Sequence, residues 1–166
     1  MNFKPTLLLL LLFFGITLGA QTTADSIRIT ELDAYWTELE RTVREGDFEG
    51  YKKGYHEDAI LVFNTDGRAG SYPIAQAFGR WKQGFDGTRA GKQQDAVEFR
   101  LTQRIGDANT AHETGIFRFT SAKPGTETAV YLVHFEMLMI KKAGVWLAMM
   151  EFQKERATEA EWRALE

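Results

Sequence analysis

Residues 95–153 read DAVEFRLTQRIGDANTAHETGIFRFTSAKPGTETAVYLVHFEMLMIKKAGVWLAMMEFQ. Four runs rich in β-branched, aromatic and methionine residues are separated by turn chemistry at Gly106-Asp107, Lys123-Pro124-Gly125 and Lys141 to Gly144. The runs Asp95–Ile105, Thr110–Thr120, Thr128–Ile140 and Val145–Gln153 have hairpin spacing, which predicts an antiparallel meander. Upstream, Ala59–Phe63 is a continuous apolar run that reads as a short buried strand. Asn64 to Arg68, with Asp66-Gly67, turns it. Ser71 and Pro73 open a helix whose apolar face is Ile74, Ala77, Phe78, Trp81 and Phe85. Gly84, Gly87 and Gly91 mark the loop that follows. Nearer the start, Leu32, Tyr35, Trp36, Leu39 and Val43 recur at helical spacing from an expected N-cap at Thr30. Gly46 ends that helix, and Asp47 caps a short second one through Tyr55. Helices placed before a meander indicate α+β rather than α/β. The expected form is a cone-shaped roll: a curved, mainly antiparallel sheet wrapped around N-terminal helices, with a cavity between them.

The 166 residues fit one globular domain. Absence of cysteine excludes disulfides and cysteine-ligated metal centres, and a net charge of −3 with scattered cations argues against a nucleic-acid surface. Lys4, the apolar run Leu7 to Phe14 and the small pair Gly19-Ala20 have the layout of a secretory signal peptide, too short to span a bilayer. The expected division is 1–20 signal peptide, 21–29 flexible segment, 30–154 folded domain and 155–166 tail or short helix. In that tail Thr158-Glu159-Ala160-Glu161 is a capping-box pattern ahead of Trp162 and Leu165. The mature protein is expected to be periplasmic or secreted, in a bacterium, with no membrane anchor left after cleavage.

Three segments carry a family resemblance: Glu45-Gly46-Asp47-Phe48-Glu49-Gly50-Tyr51, Tyr55-His56-Glu57-Asp58-Ala59-Ile60-Leu61, and Lys142-Ala143-Gly144-Val145-Trp146. In order and spacing they resemble the nuclear transport factor 2-like superfamily, which includes SnoaL-like polyketide cyclases and ketosteroid isomerases. In the isomerases an Asp is the general base, and a Tyr with a protonated Asp holds the oxyanion. Carried over by position, the base falls at Phe63, the Tyr at Leu39 and the second acid at Glu136. The isomerase mechanism is therefore not expected. SnoaL-like cyclases vary more in where acid and base sit, and leave cyclase, isomerase or dehydratase chemistry open.

Strand alternation puts His134, Glu136, Leu138 and Ile140 on one face. If the carried-over position holds, that face lines the cavity, and His134 with Glu136 is the best acid–base pair in the chain; the alternative is a buried pair that satisfies itself. Glu113 sits beside His112, and alternation does not say which of the two points inward. Arg100 shares a face with Glu98 and Thr102, and Glu151 lies late in the last strand, where relatives carry a polar residue near the pocket mouth. Trp36, Phe63, Phe78, Trp81, Glu113 and Met150 are the expected pocket residues, with Phe85, Met137, Met139 and Met149 as further apolar candidates for lining or core. Metal ligation is not expected, since His56, His112 and His134 have no ligand spacing. No cofactor motif is present.

The expected function is an exported SnoaL-like domain that binds a small apolar molecule, with acid–base chemistry as an extension. The alternative is a noncatalytic interaction domain that forms a homodimer through the outer sheet face. Val133, Phe135, Met137 and Met139 on that face would support it.

Overall fold

A computed structural model describes residues 17–165, with side chains from Thr23 onward. Residues 1–16 of the expected signal peptide, 1–20, lie outside the described residues. α1 (Thr17–Glu45) runs unbroken through the segment expected to be flexible. Thr30 does not cap it; its Oγ1 donates back to Ser26 O at 2.9 Å, as a mid-helix threonine does. Arg28 holds the early turns against the sheet. It is buried and donates to Gly106 O, to Arg104 O (3.3 Å) and to Asp25 (2.8 Å). No helix among the described residues is long and apolar enough to cross a membrane.

Gly46 ends α1 with φ +66°, where an added Cβ would lie 2.5 Å from Arg89 N. Asp47 then accepts from Gly50 N at 2.9 Å and starts α2 (Phe48–Lys52), which stops before Tyr55. β1 (Tyr55–Thr65) and β2 (Arg68–Pro73) form a hairpin through Asp66-Gly67, both at positive φ. α3 (Ile74–Arg89) begins after Pro73 and extends past Gly84 and Gly87, residues expected in a loop. β3 (Gln94–Gly106), β4 (Thr110–Ala122), β5 (Ala129–Lys142) and β6 (Val145–Arg156) make the expected meander.

The sheet order is β2-β1-β6-β5-β4-β3, with β1 parallel to β6 and every other pair antiparallel. The inner face packs on α1 through Leu32, Trp36, Leu39, Phe135, Met137 and Met139. The short α4 (Glu159–Arg163) lies on the outer face. Its capping box forms between Thr158 and Glu161, and Trp162 is buried against Ile116 and Leu132. Arg100 completes the strap, with its guanidinium 4.0 Å from the Trp162 ring and a 2.6 Å hydrogen bond to Trp162 O.

Candidate functional site

The inner face of the sheet and α3 flank a cavity of about 620 Å³ that is open to solvent on one side. Its wall is aromatic: Trp81 and Phe85 come from α3, Phe99 from β3, and Phe117 and Phe119 from β4. Two buried carboxyl side chains, Glu151 and Asp95, also line it. A shift in pairing between Leu138 and Met139 sets which β6 residues point inward. Ala148 is inward before the shift, and Glu151 and Gln153 after it.

Glu151 has neutral partners. Tyr55 Oη donates to Oε2 at 2.6 Å, and Gln153 Nε2 donates to Oε1 at 2.7 Å. Tyr51, which also lines the cavity, shares a 3.0 Å hydrogen bond with Tyr55. Burial pushes the Glu151 carboxyl above its ordinary range, and the two hydrogen bonds offset this only in part. Burial also drives both tyrosines up, so they remain neutral donors. The result is a relay of three exchangeable groups, Tyr51–Tyr55–Glu151, that begins at the cavity surface. Such a carboxyl keeps its proton to higher pH than an exposed one, and can give it to, or accept a hydrogen bond from, a molecule in the cavity.

The packing corrects the expected orientation of β5. Val133, Phe135, Met137 and Met139 are buried inward, so His134, Glu136, Leu138 and Ile140 belong to the outer face. The first set therefore offers no outer dimer surface, and the second does not point into the cavity. His134 and Glu136 do not pair with each other. His134 Nε2 lies 3.4 Å from Glu161 on α4. Glu136 accepts from Lys154 at 2.8 Å and lies 3.1 Å from His112 Nε2. Lys154 beside it holds the Glu136 carboxyl below its ordinary range. The physical reason is the hydrophobic alternation of β5 itself: the polar residues occupy alternate positions and the all-apolar set takes the core.

The six expected pocket residues separate. Trp81 lines the cavity. Phe63 lines a neighbouring depression with Leu61, Tyr72 and Trp81. Phe78 packs against Tyr55 and Trp81, with ring centroids 5.5 and 6.1 Å away, and is not part of the cavity lining. Trp36 is in the core and donates to Glu113 Oε2 at 2.9 Å. Glu113 is the inward member of its pair and is fully buried. Arg104 Nε donates to its two oxygens at 3.1 and 3.0 Å, while Arg104 Nη2 lies 3.0 Å from Oε2 outside hydrogen-bond geometry. Met150 pairs with Leu138 on the outer face, so the expectation that it lines the cavity is corrected as well.

Asp95, Tyr51 and Tyr55 were not singled out from the sequence as site residues, and Glu151 was noted only for its position. The available signal for Asp95 was its place on the alternation Asp95, Val97, Phe99, an acid in line with two apolar residues. His56, Glu57 and Asp58 bring three ligand atoms within 4.8 Å of one another, but Glu57 and Asp58 are exposed, and Lys142 Nζ is 3.2 Å from His56 Nε2. A cation beside the imidazole opposes metal binding there.

No family model matches the sequence, and no curated protein matches it. Solved structures do match by shape. A nuclear transport factor 2-like superfamily protein from Salmonella enterica aligns at a TM-score of 0.60 and 13% identity, over 82% of this chain and 96% of the other. The fold is nuclear transport factor 2-like. A nuclear transport factor 2-like protein of unknown function from Shewanella oneidensis aligns at 0.57 and 15% identity, over 76% and 98% of the two chains. The beta subunit of the benzoate 1,2-dioxygenase from Burkholderia mallei aligns at 0.62 and 11% identity, over 75% and 88%. The nuclear transport factor 2-like fold is thus shared by a dioxygenase subunit and by proteins without an assigned activity.

Proposed function

We propose that this chain is a small-molecule-binding protein of nuclear transport factor 2-like fold, its ligand held in the aromatic cavity and anchored on Glu151 and Tyr51. The observation that carries this reading is Glu151: a buried carboxyl on the cavity wall whose described partners are all neutral. An apolar cavity with a few convergent polar groups is the usual form of a ligand site. Acid–base chemistry of isomerase, cyclase or dehydratase type is the natural extension, with Glu151 as proton donor and acceptor. The test uses two probes of the same shape, naphthalene and 2-naphthol, followed by Trp81 fluorescence. Both are expected to saturate one site, Phe117→Arg to abolish both, and Glu151→Gln to weaken 2-naphthol severalfold while leaving naphthalene unchanged. Failure of either probe to saturate, or indifference to Phe117→Arg, overturns the reading.

The leader supports export of the chain, and a protein recovered from periplasm or medium should begin at Gln21. A second reading, a homodimerising interaction domain, draws support from Leu138, 44% exposed on the part of the outer face that α4 leaves open. Sedimentation of wild type against Leu138→Lys tests it, and a monomer in both would remove it.

A further inference from the structure

The second buried carboxyl of the cavity has a different character from Glu151. Asp95 is the first inward residue of β3, in register with Ser121 on β4, which pairs in turn with Ala129 on β5; all three line the cavity. The residue is only 7% exposed. Its Oδ2 accepts from Gln93 Nε2 at 2.7 Å. Its Oδ1 is buried and has no hydrogen-bond partner among the described residues. A buried carboxylate oxygen left without a donor is costly, and native proteins keep few of them outside functional positions.

The placement is built rather than incidental. Gln93 Nε2 is also 3.4 Å from Gly84 O on α3, and a Cβ at Gly87 would come within 3.1 Å of the Gln93 side chain. A Cβ at Gly84 would lie 3.4 Å from Asp95 Oδ2. Gly87 thus leaves room for Gln93, Gly84 supplies its carbonyl to the Gln93 amide, and Gln93 fixes Asp95 through one oxygen. The other oxygen is left for something else.

The surrounding charge says what that is. Three cations line the cavity, Arg80, Lys123 and Arg156, and all three are exposed. Arg80 stacks on Tyr72 with its guanidinium 4.6 Å from the ring, and Arg156 is paired with Asp66. None of the three is an ion-pair partner of Asp95 among the described residues. The buried ionisable side chains on the cavity wall are both acids, and the wall between them is a set of π-faces that favour a cation.

We infer that the cavity selects an amine, with Asp95 Oδ1 accepting a hydrogen bond from the ligand's ammonium group and the aromatic wall holding its apolar body. This rests on the reading of the cavity as a ligand site and adds the chemical class of the ligand. Three probes of one shape test it by calorimetry: 4-phenylbutylamine, 4-phenylbutan-1-ol and 4-phenylbutanoate. Wild type is expected to prefer the amine to the alcohol by roughly tenfold or more, and to bind the carboxylate most weakly. Asp95→Asn, which keeps the shape and the Gln93 bond, should bring the amine to the alcohol's affinity and leave the alcohol unchanged. Should that variant not fold, the Gln93 side-chain amide in wild type supplies the second measurement: its NMR signal should shift with the amine and stay in place with the alcohol. Saturable alcohol binding with no amine preference, or a preference that survives Asp95→Asn, overturns the role of Asp95 and leaves the pocket standing. No saturation by any probe, together with none by naphthalene, overturns both.

Discussion

Glu113 and Glu151 stand in one row of the inner sheet face with Met137 between them, since Glu113 pairs with Met137 and Met137 with Glu151. Both are buried glutamates on strands, a few ångströms from the same methionine. Glu113 meets a guanidinium and an indole N–H, and Arg104 carries the link on to Asp33 at 2.6 Å. Glu151 meets a phenol and an amide. The first carboxylate is neutralised inside the protein and closed off from the cavity. The second has donors but no counter-charge, and it lines open space. Burial is common to both, so what separates the two carboxyl groups is the charge of the partners and the presence of room beside them.

The sharpest way to break this contrast is to remove the counter-charge. Arg104→Met should leave Glu113 buried without its cation and cost about 3–5 kcal/mol in urea unfolding at neutral pH. Adding Glu113→Met should return only part of that loss: an apolar pair replaces the ion pair with little penalty, but the Trp36 Nε1–H left without its acceptor keeps about 1–3 kcal/mol of the cost. A single variant that unfolds at the wild-type midpoint would show that the ion pair is not what holds Glu113.

Glu151→Gln should behave oppositely. The amide oxygen can still accept from Tyr55, so stability at neutral pH should change by less than about 1 kcal/mol. Its signature is in the pH dependence. The folded carboxyl titrates above its unfolded value, so the native state binds the extra proton between the two. The stability contribution is full below the ordinary carboxyl range and falls as pH rises through the raised value. Glu151→Gln should therefore remove a decline that wild type shows from about pH 4 upward, read as the difference between two pH series of urea midpoints.

Glu136 supplies the smallest effect and the opposite sign. Lys154 and His112 depress its carboxyl on the outer face. Its contribution is present above the ordinary carboxyl range and is lost as pH falls through the lowered value. Glu136→Gln should cost about 0.5 kcal/mol at neutral pH, less in high salt, because the pair is partly exposed. Equal pH slopes for the Glu136 and Glu151 variants would contradict the assignment of one to each face.

Most of the architecture was legible where local chemistry is strong. The two-residue turns at Asp66-Gly67 and Ala143-Gly144, the Asp47 cap and the Thr158–Glu161 box all form at their expected places. β2 was missed because an edge strand reading Arg-Ala-Gly-Ser-Tyr-Pro has little hydrophobic signal. The early turns of α1 were missed because they are held by Arg28 reaching carbonyls of β3, a contact 78 positions away at its longest. The site was less legible, and β5 shows why. Its alternation contained the right answer, four apolar residues on one face against His134 and Glu136 on the other. The family position of Glu136 outweighed that pattern. On β6 the pairing shift near Met149 moves Glu151 inward, and no periodicity carries across such a shift.

The parallel pairing of β1 with β6 has a consequence for how the molecule comes into being. Among the described residues β6 alone joins the β1–β2 hairpin to the β3–β4–β5 ribbon. Without residues 145–156 the two parts of the sheet have no strand to join them, and Tyr55 lacks its glutamate 96 positions later. Contacts of such long separation close slowly. The cavity cannot be completed before the last strand is made, since Glu151 and Gln153 of its wall belong to β6.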